Sequence, residues 1–190
     1  MSDADQAAAS TRPLKAFSGR AQRRTVSAET LAPLQCQPLS AAPYAPWVIT
    51  PNTLGFDLLR YLEEQREQWQ AWYYQYGALL FRGFQLDHVA AVAAVAQRVM
   101  TDLFKENTEH QPISADGLVQ VPVDYAKDQF LLWHNENTFN NRWPQQAIFA
   151  CAIPAASGGE TPIVDSRLIY QDLDAEIRQA FVDKQVMYVR

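Results

Sequence analysis

Apolar positions recur with a helical period over residues 56–76, with charged positions between them. The apolar stripe comprises Leu58, Leu62, Trp69, Trp72, Tyr73 and Tyr76. This spacing predicts an amphipathic helix that ends at Gly77, a residue type that commonly terminates helices. An aromatic stripe of this kind can also form a ligand cage, but amphipathic helices routinely bury such stripes, so we expect core packing.

A short apolar run and a second helical pattern follow. ALLFRGF (78–84) predicts a buried strand, and DHVAAVAAVAQRVM (87–100) predicts a helix with a valine- and alanine-rich face and Asp87 as its N-cap. His88 falls in the first turn, where we expect it to face solvent. The alternation of strand and helix indicates helices packed against a sheet.

Prolines and weak patterning mark the chain on both sides of these elements. Five prolines between residues 30 and 54 favour extended chain with one short strand at 47–49. Residues 101–130 are weakly patterned and predict a loop or a lid, with His110 as a surface or loop residue. Beyond them, strands are expected at 145–154, 161–166 and 186–190, and a helix at 172–181.

Composition describes a single globular domain. The 190 residues are 48% hydrophobic and 19% charged, with a formal net charge of −5. Residues 1–25 have no apolar period and predict a flexible basic arm. Beyond residue 24 the chain holds 11 basic and 19 acidic residues, which argues against a nucleic-acid surface.

The same sequence favours a reducing compartment and predicts no membrane-spanning segment. Cys36 and Cys151 form no CxxC pair, so we expect buried, reduced thiols. No secretory signal is visible and no apolar stretch is long enough to span a bilayer, so the expected location is the cytoplasm.

Candidate chemistry lies in LLWHNENTFNNRWPQQ (131–146). On an extended chain the side chains of His134 and Glu136 point to the same face. An imidazole and a carboxylate presented together are two of the three ligands of a non-haem Fe(II) site. The tripeptide H-x-E alone is common by chance, so on this evidence a polar loop is the more economical interpretation.

Several motifs in the same order resemble the TauD/TfdA-like superfamily of Fe(II)- and 2-oxoglutarate-dependent dioxygenases. They are GALLFRGF (77–84), the HNE motif with its following WP, GGETPIVDSR (158–167) and VMYVR (186–190). The resemblance covers about residues 40–190 and is nearest to the SyrP-like hydroxylase branch. It implies a mixed α/β fold in which flanking helices surround a double-stranded β-helix (jelly-roll) core, with 26–190 as the N-terminal portion of the oxygenase domain.

The resemblance assigns roles to individual residues. His134 and Glu136 are similar to the first histidine and the carboxylate of the iron triad, and Thr161 to a threonine that binds the 2-oxoglutarate carboxylate. The implied reaction is hydroxylation of an unactivated C–H bond of an amino-acid-like or carrier-protein-tethered small molecule in a biosynthetic pathway. Related halogenases lack the carboxylate, so Glu136 disfavours halogenation. For Arg167, a structural ion pair is expected before a functional one.

The family pattern also requires a second histidine and a 2-oxoglutarate-binding arginine, which would follow residue 190. His88 and His110 precede the motif and are poor substitutes. Three explanations remain open: a fragment of a longer enzyme, a chain completed by another polypeptide or a second copy of itself, or a degenerate binding protein without catalysis. The identity of the substrate is also left open.

Overall fold

The computed structural model describes residues 32–104, 110–123, 125–126, 128–138 and 140–189. The predicted basic arm, residues 1–25, lies outside them. The described residues form three strands and five helices, a mixed α/β arrangement as predicted. No helix in this part of the chain combines the length and the apolar character that crossing a membrane requires.

The sheet has the order β1 (Leu34–Pro38), β2 (Trp47–Pro51), β3 (Leu79–Phe81). β1 runs antiparallel to β2, and β2 runs parallel to β3. The predicted strands at 47–49 and 78–84 are confirmed in these positions, whereas β1 was not foreseen among its prolines. β1 is an edge strand that ends at Pro38, a place where a missing backbone N–H is tolerated.

The predicted helix over 56–76 is two helices, α1 (Leu58–Glu64) and α2 (Arg66–Tyr76), which are separated by Gln65. Asp57 caps α1 by accepting a hydrogen bond from the backbone N–H of Arg60 at 3.0 Å. Gly77 ends α2 in the left-handed conformation with φ of 75°, as its position in the sequence predicted.

Helix α3 (Val89–Val99) confirms the second helical pattern, but its predicted cap is wrong. His88 occupies the N-cap instead of Asp87, and its Nδ1 accepts a hydrogen bond from the backbone N–H of Ala91 at 3.0 Å. An unprotonated imidazole nitrogen is an acceptor like a carboxylate oxygen, so it can satisfy a backbone donor of the first turn in the same way.

The core lies between the sheet and these three helices. Leu58, Tyr61, Leu62 and Trp69 form its buried cluster, and the indole N–H of Trp69 donates to the carbonyl oxygen of Leu62 at 2.8 Å. Trp47 of β2 stacks on Tyr76 with ring centroids 4.5 Å apart. The aromatic stripe therefore packs into the core, as expected.

The second half of the chain differs most from prediction. Helices α4 (Ser166–Asp172) and α5 (Ala175–Lys184) are present, and α5 confirms the helix expected at 172–181. The predicted strands at 145–154, 161–166 and 186–189 are wrong for the described residues, which contain no strand there. An apolar run forms a strand when a neighbour pairs with its backbone, and the described residues provide none here. The jelly-roll core stays a prediction.

The two cysteines are free thiols, and their environments differ from the buried ones expected. Cys36 lies on β1 and is half-buried, and burial raises the pKa of its thiol. Cys151 is exposed. The prediction of burial is therefore wrong for Cys151, because the apolar run around it has no paired neighbour to cover it.

Candidate metal centre

His134 and Glu136 lie close together on an exposed segment, as the two-residue spacing predicted. The chain has neither helix nor strand from 131 to 135 and turns at 136–138. His134 Nε2 lies 3.9 Å from Glu136 Oε2. Both side chains are open to solvent, with 54% of the histidine and 39% of the glutamate exposed. The pair can therefore be reached by an ion from solution.

The orientation of the His134 ring is fixed by its own backbone. Its Nδ1 lies 2.8 Å from the carbonyl oxygen of Leu132, and a carbonyl can only accept, so Nδ1 carries the hydrogen. In the neutral ring this leaves the lone pair on Nε2, the atom that faces Glu136. A ring nitrogen held by a backbone carbonyl is the usual support of a metal-binding histidine.

A second histidine faces the same carboxylate. His110 lies two residues before Pro112, which forms an isolated bridge with Gln120. Its Nε2 lies 3.6 Å from Glu136 Oε1, and 22% of its side chain is exposed. His110 is a loop residue, as predicted, but no pattern in the sequence indicates that it lies beside Glu136.

The turn after Glu136 depends on Asn137. This residue adopts φ of 56°, a left-handed conformation that asparagine tolerates better than most residues. Asn137 is buried, and its Oδ1 accepts from Asn140 Nδ2 at 3.3 Å while its carbonyl accepts the Asn140 N–H at 3.1 Å. These two hydrogen bonds close the turn and set the direction in which the side chain of Glu136 points.

A hydrogen bond links this segment to the start of α4. Ser166 Oγ donates to Asn135 Oδ1 at 3.3 Å, which places the residue between the two candidate ligands against the helix N-terminus. Thr161 lies five residues before Ser166, on exposed chain. Its role in binding 2-oxoglutarate stays a prediction.

Arg167 forms a structural ion pair, as expected. Its Nη2 lies 2.6 Å from Asp165 Oδ2, and its Nη1 donates to the carbonyl oxygen of Tyr74 at 3.2 Å. Hydrogen bonds from the guanidinium hold the pKa of Asp165 below its usual range, and the same bonds raise the pKa of Arg167. These contacts fasten the segment that follows Thr161 to the end of α2.

The described part of the chain holds no group of three His, Cys, Asp or Glu side chains spaced as in a complete metal site. The donor types nevertheless suit Fe(II), which binds imidazole nitrogen and carboxylate oxygen. Nε2 of His134 and the carboxylate of Glu136 are two donors of the types that such an ion binds, so the residues present fit part of an iron site.

Comparison with known proteins gives a consistent picture. The sequence profile of the family described as "Taurine catabolism dioxygenase TauD, TfdA family" matches residues 39–190. The chain is similar to the dapdiamide synthesis protein DdaC of Enterobacter agglomerans, with 31% identity over 118 residues, or 60% of this chain and 35% of that protein. It is also similar to a clavaminate synthase-like protein of Arabidopsis thaliana, with 28% identity over 133 residues, or 68% and 40% respectively. No solved structure matches.

The chain therefore spans 35% and 40% of the lengths of these two relatives. The motifs that carry the similarity in sequence fall inside the matched region 39–190, and so do His110, His134 and Glu136.

Proposed function

The chain belongs to the TauD/TfdA family of dioxygenases, and from this membership we propose that it contributes His134 and Glu136 to the iron site of an Fe(II)- and 2-oxoglutarate-dependent oxygenase. The observation that carries the proposal is the short distance, 3.9 Å, between the Nε2 of His134 and the carboxylate of Glu136. Nδ1 of the same ring is already engaged by Leu132, which leaves Nε2 for the ion.

In this proposal the protein binds the ion and orients 2-oxoglutarate and the substrate. His134 and Glu136 would bind the ion, and the exposed side of the pair leaves room for 2-oxoglutarate and substrate. The bound ion, with 2-oxoglutarate, supplies the activation of dioxygen that C–H hydroxylation needs. Thr161 would donate its hydroxyl to a carboxylate of 2-oxoglutarate, and the contact between Ser166 and Asn135 would keep the ligand segment in place.

For the substrate we propose an amino-acid-like small molecule, free or tethered to a carrier protein, in a biosynthetic pathway. Support comes from the names of the two relatives, one a synthesis protein and the other synthase-like. The carboxylate of Glu136 supports hydroxylation over halogenation, because as a metal ligand it would take the place that a halide would need. A cytoplasmic location, and the absence of nucleic-acid and membrane partners, stay predictions.

Other parts of an oxygenase of this family would have to supply a second iron-binding histidine and the arginine for 2-oxoglutarate. They would come from a longer polypeptide, a complementing chain or a second copy. Many large apolar side chains in this half of the chain are exposed, which supports this requirement; they include Phe130, Leu132, Phe149, Ile153 and Met187. The same exposure also favours a second candidate, a non-catalytic binding protein of this fold.

Anaerobic titration of the 190-residue chain with Fe(II) and 2-oxoglutarate tests the proposal. We expect a visible charge-transfer band that is lost in His134→Ala and in Glu136→Ala. His88→Ala is the matched control, because His88 caps α3 and should leave the band unchanged. Thr161→Val should weaken the binding of 2-oxoglutarate about tenfold while Fe(II) still binds. Absence of the band in the wild-type chain would favour the truncated or the non-catalytic form.

A further inference from the structure

One hydrogen bond joins the candidate ligand segment, residues 131–138, to a distant part of the chain. Ser166 Oγ donates to Asn135 Oδ1 at 3.3 Å across 31 positions. Among the described residues it is the one hydrogen bond that leaves this segment for a distant partner, since its other bonds stay within 3 positions. The contact between Glu136 and His110 spans 3.6 Å, which is longer than a hydrogen bond.

Asn135 lies between the two candidate ligands, so its position affects both of them. His134 and Glu136 are its immediate neighbours, and their candidate ligand atoms take no part in the bond to Ser166. A peptide unit is planar and nearly rigid, so a displaced Asn135 displaces the residues on either side. The bond therefore acts on the pair through the backbone and leaves the imidazole Nε2 and the carboxylate available to an ion.

Ser166 is itself fixed by the residues before and after it. Asp165 caps α4 by accepting a hydrogen bond from the backbone N–H of Arg167 at 2.8 Å, and the guanidinium of Arg167 donates back to the same carboxylate. A serine side chain has a single torsion between its backbone and Oγ, so the backbone leaves Oγ only a few staggered positions. The contact between Asp165 and Arg167 thus limits where the hydroxyl of Ser166 can lie.

Arg167 anchors these residues to the first half of the chain. Its Nη1 donates to the carbonyl oxygen of Tyr74 at 3.2 Å, and its guanidinium carbon lies 4.2 Å from the ring centroid of Tyr44. A planar guanidinium can donate hydrogen bonds at its edge and stack through its face at the same time, which an ammonium cannot do. A continuous series of contacts therefore runs from the two tyrosines through Arg167 and Ser166 to Asn135.

We propose that Arg167 is a positioning residue for the candidate ligand pair, acting through the hydrogen bond between Ser166 and Asn135. The inference rests on the proposed function in taking His134 and Glu136 as ligands. Residues that orient metal ligands without touching the ion change metal affinity by roughly tenfold or more when they are replaced. Arg167 therefore affects the binding of an ion that it does not contact, in addition to stabilising the fold.

The Co(II) affinity of the 190-residue chain, measured by calorimetric titration, tests this coupling. We expect roughly tenfold weaker binding in Ser166→Ala and in Arg167→Ala, and near wild-type binding in Ser166→Thr, which keeps the hydroxyl. The double variant should bind no more weakly than Ser166→Ala, because the arginine has no route to the ligands once the hydrogen bond is gone. Gly55→Ala is the control; φ of +71° strains it, a Cβ there meets no atom within 4 Å, and Co(II) should bind as in wild type.

A second measurement needs no metal. Heteronuclear NMR correlation spectra of the His134 ring should change in Ser166→Ala and in Arg167→Ala, and should match wild type in Gly55→Ala. A general loss of stability would not produce this pattern, because Gly55→Ala also strains the fold. Far-ultraviolet circular dichroism and tryptophan fluorescence check that each variant is folded.

A Co(II) affinity and a His134 spectrum that are both unchanged in Arg167→Ala would overturn the inference, and so would a double variant in which the two losses of affinity add. The two proposals fail separately. Metal binding that is independent of Arg167 leaves the proposed function standing without a positioning role for this arginine. A His134 spectrum that responds to Arg167, in a chain that binds neither Co(II) nor Fe(II), supports the positioning contact and counts against His134 and Glu136 as ligands.

Discussion

The guanidinium of Arg167 forms a bidentate contact with the carboxylate of Asp165. Nε lies 2.9 Å from Oδ1 and Nη2 lies 2.6 Å from Oδ2, and the two hydrogen bonds together fix the orientation of the guanidinium relative to the carboxylate. The same guanidinium lies over the ring of Tyr44 at 4.2 Å and donates to the backbone of Tyr74. The side chain of Arg167 thus connects residues 165–167 to the segments around residues 44 and 74.

Replacement of Arg167 should therefore destabilise the fold more than removal of an ordinary surface charge. Arg167→Ala leaves Asp165, whose side chain is 12% exposed, without its partner, and we expect a loss of about 1–2 kcal/mol in the free energy of unfolding. Arg167→Lys should restore little, because an ammonium makes neither the fork nor the stacking contact. The control is Arg60→Ala, which breaks the exposed Arg60–Glu64 pair and should change little. Urea unfolding followed by tryptophan fluorescence measures all three.

The Asp165–Arg167 pair also predicts a pH dependence. The folded-state pKa of Asp165 is lowered by its hydrogen bonds from Arg167, so the folded protein favours the ionised carboxylate. The resulting stabilisation is present above the ordinary aspartate pKa of about 4 and is lost as the pH falls from there through the lowered folded-state pKa. The stability difference between wild type and Arg167→Ala should be full at about pH 6 and should shrink at about pH 3. An equal difference at both pH values would contradict this assignment.

Gly77 should tolerate no side chain, because it lies against this pair in a left-handed conformation. A Cβ at Gly77 would lie 2.7 Å from Asp165 Oδ2 and 3.0 Å from Arg167 Nη2, and φ is +75°. Gly55 is the matched control, since its φ is +71° but a Cβ there would meet no atom within 4 Å. Gly55→Ala should cost about 1 kcal/mol from backbone strain, and Gly77→Ala should cost about 1–3 kcal/mol more from the clash. Equal losses in urea unfolding would show that the pair moves aside freely.

Asn137 should govern the position of Glu136. Asn137→Ala keeps a Cβ in the left-handed conformation without the asparagine's local hydrogen bonds, so we expect about 1 kcal/mol of lost stability and weaker Co(II) binding. Asn137→Gly relieves the backbone strain and should bind Co(II) more tightly than Asn137→Ala. Calorimetric titration measures the three Co(II) affinities. An alanine variant that binds Co(II) as tightly as wild type would show that this turn does not position the metal ligands.

The core cluster should account for much of the stability of the N-terminal half. Leu62 is 1% exposed and Leu54 is 102% exposed, so the two leucines form a matched pair. Leu62→Ala should lose about 2–5 kcal/mol through the cavity it leaves, and Leu54→Ala should lose almost nothing. Chemical denaturation distinguishes the two outcomes, and similar losses would mean that the cluster is not the centre of the cooperative unit.

The sequence by itself determined the local features of this protein. Helical spacing located α2 and α3, Gly77 ended α2, and the two-residue spacing of His134 and Glu136 brought their side chains together. These features depend on backbone geometry over a few residues, which periodicity reports directly. The order of the motifs also indicated the family, and the quoted motifs fall within the region that the family profile matches.

The tertiary structure decided what depends on distant partners. The strands expected in the second half needed neighbours to pair with, and the described residues leave those apolar runs without one. The cap at His88 and the pairing of β1 depended on which nearby group could satisfy a backbone donor. The approach of His110 to Glu136 had no sequence signal at all, since no period relates residues on a loop to residues on a later segment. Spacing therefore specified the candidate ligand pair, and chain packing specified which side chain faces it.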